Sequence, residues 1–316
     1  MSSDINRAKR QKRTIITYTI LAVIVIALVL YVILRRQDRL QYQLPTIPAI
    51  SAGEIDEITL TSPEGTVIQL QSKGGGWRIA PQGYKVDDEL VSDMTEALAN
   101  FRISDLVSTR SVYERYDLDD DAKLIILAGG EGKELLTFDA GKVAPSYNHT
   151  YVRLPDDDRV FHGVGDLRRT FDKSVSDLRD KLVLSFPAIG IESLVAIFPN
   201  REIRLVKSVE PSGTGEEAVN ETVWRTPSGE IWEAEKIDEL LNRIDDLRCS
   251  EYLTNESTKL GTPGLTLIVT GEREHTLSLF SVNEEGYEAT SSGTPYPFRI
   301  STWQGESILD TFETDS

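Results

Sequence analysis

The chain has 316 residues, 40% of them hydrophobic and 27% charged, with a net charge of −17 and one cysteine. That length admits two domains and that apolar content admits a packed core, while a single thiol excludes an internal disulfide and a cysteine-based metal cluster. Residues 1–39 hold eight Lys or Arg against two Asp or Glu, which leaves −23 on the rest; so acidic a surface repels phosphate backbones and argues against nucleic-acid binding.

The basic tail 1–13 leads into Thr14–Leu34, 21 residues without a charge. As a helix this run measures roughly 31 Å, matching the roughly 30 Å hydrocarbon core of a bilayer. It is too long for a cleaved leader and ends in YVILRRQDR, a poor cleavage context. A signal anchor is therefore expected. Five basic residues (Arg7, Lys9, Arg10, Lys12, Arg13) precede it and three (Arg35, Arg36, Arg39) follow, so the N-terminus is expected in the cytoplasm and the C-terminal domain outside it. Residues 35–52, with Pro45 and Pro48, read as an extended stalk.

EIDEITLT and TVIQLQS alternate as strands about an SPEG turn, and KGGG turns into a short strand at WRIA. Val91, Met94, Leu98 and Phe101 recur at helical spacing, so Asp87–Phe101 is predicted to be an amphipathic helix with an acidic cap. AKLIILAGGEGKELLTFDAGK and NHTYVRLPDDDRVFHG read as hairpins, and DLRRTFDKSV as a short helix. The second half repeats this order. GIESLVAIF and REIRLVKSV answer the first two strands, and VWRTP answers GWRIA, setting Trp224 opposite Trp77. Ile237, Leu240, Ile244 and Leu247 answer the helical positions at an offset of 146, and LTLIVTGEREHTLSLF answers KLIILAGGEGKELLTF at 142, pairing Phe138 with Phe280. Tyr287 and Phe298 answer Tyr151 and Phe161, and the echo FRISDLVS / LRCSEYLT falls within these matches. EPSGTGEEAVNE, before Trp224, is read as a mobile surface loop, and Thr302–Phe312 as a closing helix.

The expected fold class is α+β: an N-terminal single transmembrane helix, then two tandem repeated modules, each an antiparallel or mixed sheet packed by a helix. The boundaries are 1–13 for the tail, 14–34 for the span, 35–52 for the stalk, 53–186 for the first module and 187–316 for the second. Trp77 and Trp224 are expected at the sheet–helix interface.

No residue presents itself as catalytic, cofactor-binding or metal-binding. His149, His162 and His275 form no H-x-x-x-H pair. No nucleophile elbow appears, and the Gly-rich stretches lead into strands, not into a helix N-terminus. An EF-hand loop beginning at Asp117 would need Gly and Glu where Ala122 and Ala128 stand. Cys249, answering Ile103, reads as a small buried residue.

LRDKLVLSF (Leu178–Phe186) and ERYDLDDDAKLIIL (Glu114–Leu127) are similar to an R-D-K segment and a Tyr-Gly-Leu segment in a bacterial membrane-anchored family, domain of unknown function 4340. Here Tyr116-Asp117-Leu118 departs at the glycine. The resemblance runs from about Ile55 onward. It implies a non-enzymatic accessory or scaffold role beside an ABC-type transporter, with no cofactor, at the bacterial inner membrane. Two alternatives stand beside it. One is a module binding an envelope glycan or other ligand, which exposed, clustered aromatics would favour. The other is an envelope hydrolase, which would need His149 or His162 to converge with carboxylates.

Overall fold

The computed structural model describes residues 18–31, 43–212, 219–253 and 260–313. Residues 18–31 are helical (α1) with every side chain exposed. The remainder runs β1 (Glu57–Thr61), β2 (Val67–Lys73), β3 (Gly76–Ala80), β4 (Tyr84–Lys85), α2 (Asp88–Ala99), β5 (Ile103–Ser108), β6 (Leu124–Gly130), β7 (Lys133–Val143), β8 (His149–Arg153), β9 (Val160–Val164), α3 (Leu167–Phe171) and α4 (Val175–Leu178). Next come β10 (Leu182–Ser185), β11 (Ser193–Ile197), β12 (Glu202–Ser212), β13 (Val219–Arg225), β14 (Ile231–Trp232), α5 (Ala234–Ile244), β15 (Asp246–Arg248) and β16 (Glu251–Tyr252). The chain closes with β17 (Leu265–Thr270), β18 (Glu274–Asn283), β19 (Gly286–Ser291), β20 (Thr294–Ile300) and α6 (Thr302–Leu309).

Two compact units emerge, one of residues 1–67 and 94–172, the other of 68–93 and 173–316. Within the first, the strand order is β1-β6-β7-β8-β9-β5, antiparallel throughout. Its hairpins follow from turn chemistry. Between β6 and β7, Glu131 and Gly132 both take positive φ (52° and 73°), the two-residue geometry whose twist suits flanking strands. Phe138, fully buried, stacks on Phe101 with ring centroids 4.2 Å apart and meets Phe171 edge-on at 6.4 Å.

In the second unit β2, β3 and β4 form an antiparallel run, and a nine-stranded sheet has the order β14-β13-β12-β11-β17-β18-β19-β20-β16. β10 pairs with β15 separately. The amphipathic α5 buries Ile237, Leu240, Leu241 and Ile244 in one core with Leu194, Leu205, Trp224, Leu267 and Leu279 of the large sheet. The order β11-β17-β18-β19-β20-β16 restates β1-β6-β7-β8-β9-β5, and β12-β13-β14 restates β2-β3-β4.

The α+β class with a transmembrane helix is corrected. Among the described residues the protein is mostly β-sheet, 42% strand against 25% helix, in three sheets. The strands that the sequence pattern did not mark, β4, β5, β10, β14, β15 and β16, are short or lie at sheet edges. β5, for example, buries no residue fully, so no apolar alternation marks it. No helix among the described residues is long and apolar enough to cross a membrane; of the expected span Thr14–Leu34, residues 14–17 and 32–34 lie outside the described residues. Of the stalk, 43–51 carries no regular structure.

Several smaller readings are refined. The predicted helix Asp87–Phe101 is Asp88–Ala99, and the Asp87 carboxylate accepts the Glu89 N–H at 3.1 Å. The insert after Glu210 is not all loop: Pro211 pairs with Asn220 and Ser212 with Val219, and 213–218 lie outside the described residues. Trp224 lies in the core beside α5, while Trp77 is only half-buried.

Candidate binding cleft

The acidic runs Asp117–Asp121 and Asp156–Asp158 and the three histidines are distributed over the fold, and several of these side chains have local partners. The Asp117 carboxylate pairs with Lys142 (3.1 Å), Asp120 with Lys123 (2.6 Å) and Asp157 with Arg159 (2.7 Å). Among the described residues no group of three or more His, Cys, Asp or Glu is gathered as a metal ion would require. His275 packs against the Phe186 ring at 5.2 Å. Cys249 is buried, and burial pushes its thiol pKa up, away from the reactive thiolate. His149 and His162 do meet, with ring centroids 5.3 Å apart, and Tyr151 adds a third ring 5.2 Å from His162. Asp105 stands opposite His162 in the β5–β9 register. Ser146 Oγ lies 3.1 Å from His149 Nδ1, but three residues apart this closes a turn.

The second unit holds a cleft of about 340 Å³ that none of these residues lines. At its centre is Arg179, the first residue of the R-D-K segment. Its guanidinium carbon lies 3.5 Å from the ring centroid of Tyr252, 3.8 Å from that of Tyr84 and 4.9 Å from that of Tyr296. Tyr84 and Tyr296 meet edge to face at 5.2 Å. Each element arrives by backbone pairing. Val86 bridges to Arg179, the Asp180 N–H donates to the Lys85 carbonyl at 2.9 Å, and Tyr252 lies opposite Phe298 in the β16–β20 register. Three aromatic faces around one guanidinium stabilise its charge by cation–π attraction, about 0.5–2 kcal/mol per desolvated contact.

Asp180, the second residue of the segment, is held on several sides. Lys85 Nζ donates to it at 2.8 Å and the Leu182 N–H at 3.0 Å, with Arg248 3.9 Å away. Burial opposes its ionisation, yet the Lys85 and Leu182 hydrogen bonds and the Lys85 and Arg248 charges hold its pKa below the usual carboxylate range. The hydrogen bond to Asp180 raises that of Lys85. Burial, with Cys249 beside it, pushes the Tyr252 phenol up to about 12, and its hydroxyl donates to the Asp180 carbonyl at 2.8 Å. Arg248 is engaged with Asp87 at 2.8 Å. Among the described residues the guanidinium groups of Arg78 and Arg179 make no hydrogen bond or ion pair. The lining therefore carries Arg78, Lys85 and Arg179 against Asp180 alone, a cationic hollow in a strongly acidic chain. It is chemically equipped to hold an anion.

Sequence reasoning singled out none of the three tyrosines, because they come from segments 44–212 residues apart. Two signals could have found the site. One is the R-D-K segment itself; the other is that Tyr252 stands where the first copy of the echo has Leu106.

Fold and cleft together define a duplicated, largely antiparallel β protein with one aromatic-walled cationic hollow. The chain matches the family "Domain of unknown function (DUF4340)" over residues 77–265 and belongs to it. No curated protein and no solved structure matches the chain.

Proposed function

We propose that the protein is a membrane-attached binding module, its folded part outside the cytoplasm, that captures an anionic ligand in the Arg179 cleft as a non-enzymatic accessory of a membrane partner such as an ABC-type transporter. One observation carries this reading: the uncommitted Arg179 fork, set among three tyrosine rings in a chain of net charge −17. Binding is favoured over turnover by the protonation states around it. Asp180 is held low, Lys85 high and Tyr252 near 12, so these groups are not poised to exchange a proton near neutrality. Membrane attachment is supported by the run 18–31, apolar all round and exposed all round as a helix, which suits an apolar surrounding. The transporter partner comes from the family resemblance.

The test is calorimetric titration of the full chain in lipid nanodiscs, at low ionic strength, with D-glucuronate, citrate and inorganic phosphate. The reading expects at least one anion to saturate at one site per chain and Arg179→Ala to remove that binding; no saturable binding by any of the three overturns it. The partner is tested by mild crosslinking in native membranes. Recovery of a transporter-class membrane protein supports the reading, and recovery of the chain alone contradicts it.

A further inference from the structure

The cleft's own chemistry narrows the ligand, given that it binds an anion at all. Of its cations, Lys85 is committed to Asp180 at 2.8 Å, and that carboxylate also takes the Leu182 N–H. What remains for a ligand is the N–H edge of Arg179, with Arg78 beside it. The Arg179 guanidinium lies against Tyr252 and Tyr84, so its fork is held before a ligand arrives. A fork so held matches a planar carboxylate in two parallel hydrogen bonds.

Phosphoryl groups are usually cradled by converging backbone N–H groups or a helix N-terminus. Here five backbone donors of the lining are committed within the fold. Gly83 N–H donates to the Ile79 carbonyl (2.7 Å), Asp180 N–H to the Lys85 carbonyl (2.9 Å) and Leu182 N–H to Asp180 Oδ1 (3.0 Å). Gly293 N–H donates to Ser291 Oγ (3.3 Å) and Tyr296 N–H to Thr294 Oγ1 (3.4 Å). Asp180, kept ionised in the same wall, also opposes a second negative charge on the ligand. Extended peptides are captured by adding to a free strand edge. The edge of β4 is already taken by the Val86–Arg179 bridge and the Asp180–Lys85 hydrogen bond.

The remaining wall mixes aromatic faces and Pro295 with the Thr294 hydroxyl and phenol groups. A sugar ring, with apolar C–H faces and a hydroxyl rim, complements such a wall. The 340 Å³ volume falls at the small end of the roughly 300–1,000 Å³ typical of ligand pockets. We infer that the cleft recognises a saccharide bearing a single carboxylate, of the uronic-acid class, with the carboxylate on Arg179 and the ring against the tyrosines.

The experiment titrates the full chain in lipid nanodiscs with D-glucuronate, D-glucose, D-glucose 6-phosphate and acetate. Glucuronate is expected to saturate at one site per chain, at least about tenfold tighter than acetate or the phosphate ester, with glucose giving no saturation; Arg179→Lys, which keeps the charge and loses the fork, is expected to weaken it about tenfold. Tyr252→Leu, the residue the first copy carries, is expected to bring glucuronate down to the level of acetate. Arg78→Gln, at an exposed position, checks the second guanidinium in a chain whose fold it leaves alone, and a smaller loss than with Arg179→Lys is expected. A phosphate ester bound as tightly as glucuronate, or acetate as tightly as glucuronate, overturns the saccharide assignment and leaves the anion-binding reading standing. Failure of every anion overturns both.

Discussion

Asp105 stands opposite His162 on β5 and β9; at the matching point of the second copy, Glu251 stands opposite Arg299 on β16 and β20. The neighbouring pairs confirm the match, since Leu106 faces Phe161 where Tyr252 faces Phe298. The two copies kept their strand order and the buried Phe161 and Phe298, and diverged on the residues between. In the first copy the cross-strand pair includes an imidazole, His162. In the second it is a fixed ion pair, with Glu285 also on Arg299. Where the first copy has an aliphatic Leu106, the second has the tyrosine that walls the cleft. The two copies share a frame, and the tyrosine that walls the cleft stands at a position this frame leaves half-exposed.

The comparison breaks most visibly at the paired tryptophans. Trp224 is fully buried and Trp77 is not, so Trp224→Ala is expected to cost about 3–5 kcal/mol and Trp77→Ala distinctly less. Urea denaturation of the two variants measures this, and equal losses would mean that the copies pack their tryptophans alike. A smaller effect is expected at Gly305, where an added Cβ would come within 2.1 Å of the Tyr287 ring. Gly305→Ala should cost about 1–3 kcal/mol by overpacking, read as a lowered denaturation midpoint.

His162 gives the first copy a pH dependence that its counterpart Arg299 does not share. Burial, then the His149 charge, lowers the His162 pKa from its ordinary value of 6.5, against the pull of Asp105. The unfolded chain therefore binds the proton more readily, and the contribution of neutral His162 is fully present above about pH 6.5 and is lost as pH falls from there through the lower folded-state pKa. Hydrogen-exchange protection factors in β8 and β9, each referenced to the intrinsic exchange rate at that pH, should fall on acidification from about pH 7 to 5.5. His162→Arg, which installs the second copy's cation opposite Asp105, should flatten that dependence. The smallest effect belongs to the second copy's own pair. Glu251→Gln should change stability by no more than about 1 kcal/mol, because the Glu251 side chain is 48% exposed.

Much of the frame was legible because apolar periodicity reports buried faces directly. Val91, Met94 and Leu98, like Ile237, Leu240 and Ile244, are buried as their spacing required. Register was harder to read. A gapless offset of 142 matched Phe138 to Phe280, yet Phe138 pairs with Ile126, and in the second copy it is Leu277 that pairs with Leu267. The cause is local. β6 and β7 carry a bulge at Ala128–Gly129 and a two-residue turn, whereas Thr270 pairs with Glu274 across a three-residue loop. The same slip makes Glu288, not Tyr287, the counterpart of Tyr151, since they face Arg299 and His162 respectively. Edge strands escaped notice because they bury no continuous face, and the cleft escaped because its walls meet only in three dimensions.

Whether Arg179 is a recognising group or only a strut among tyrosines can be read from its own side chain. Full-length protein labelled with ¹⁵N-arginine in nanodiscs, with the Nε–H resonance assigned through Arg179→Lys, reports that fork alone. Added glucuronate should move this signal along a saturable curve while those of Arg201 and Arg243, bonded to the Phe312 and Ser307 carbonyls, stay in place. A signal that holds still as the others do, in a folded sample, would contradict the assignment of the cleft as a binding site.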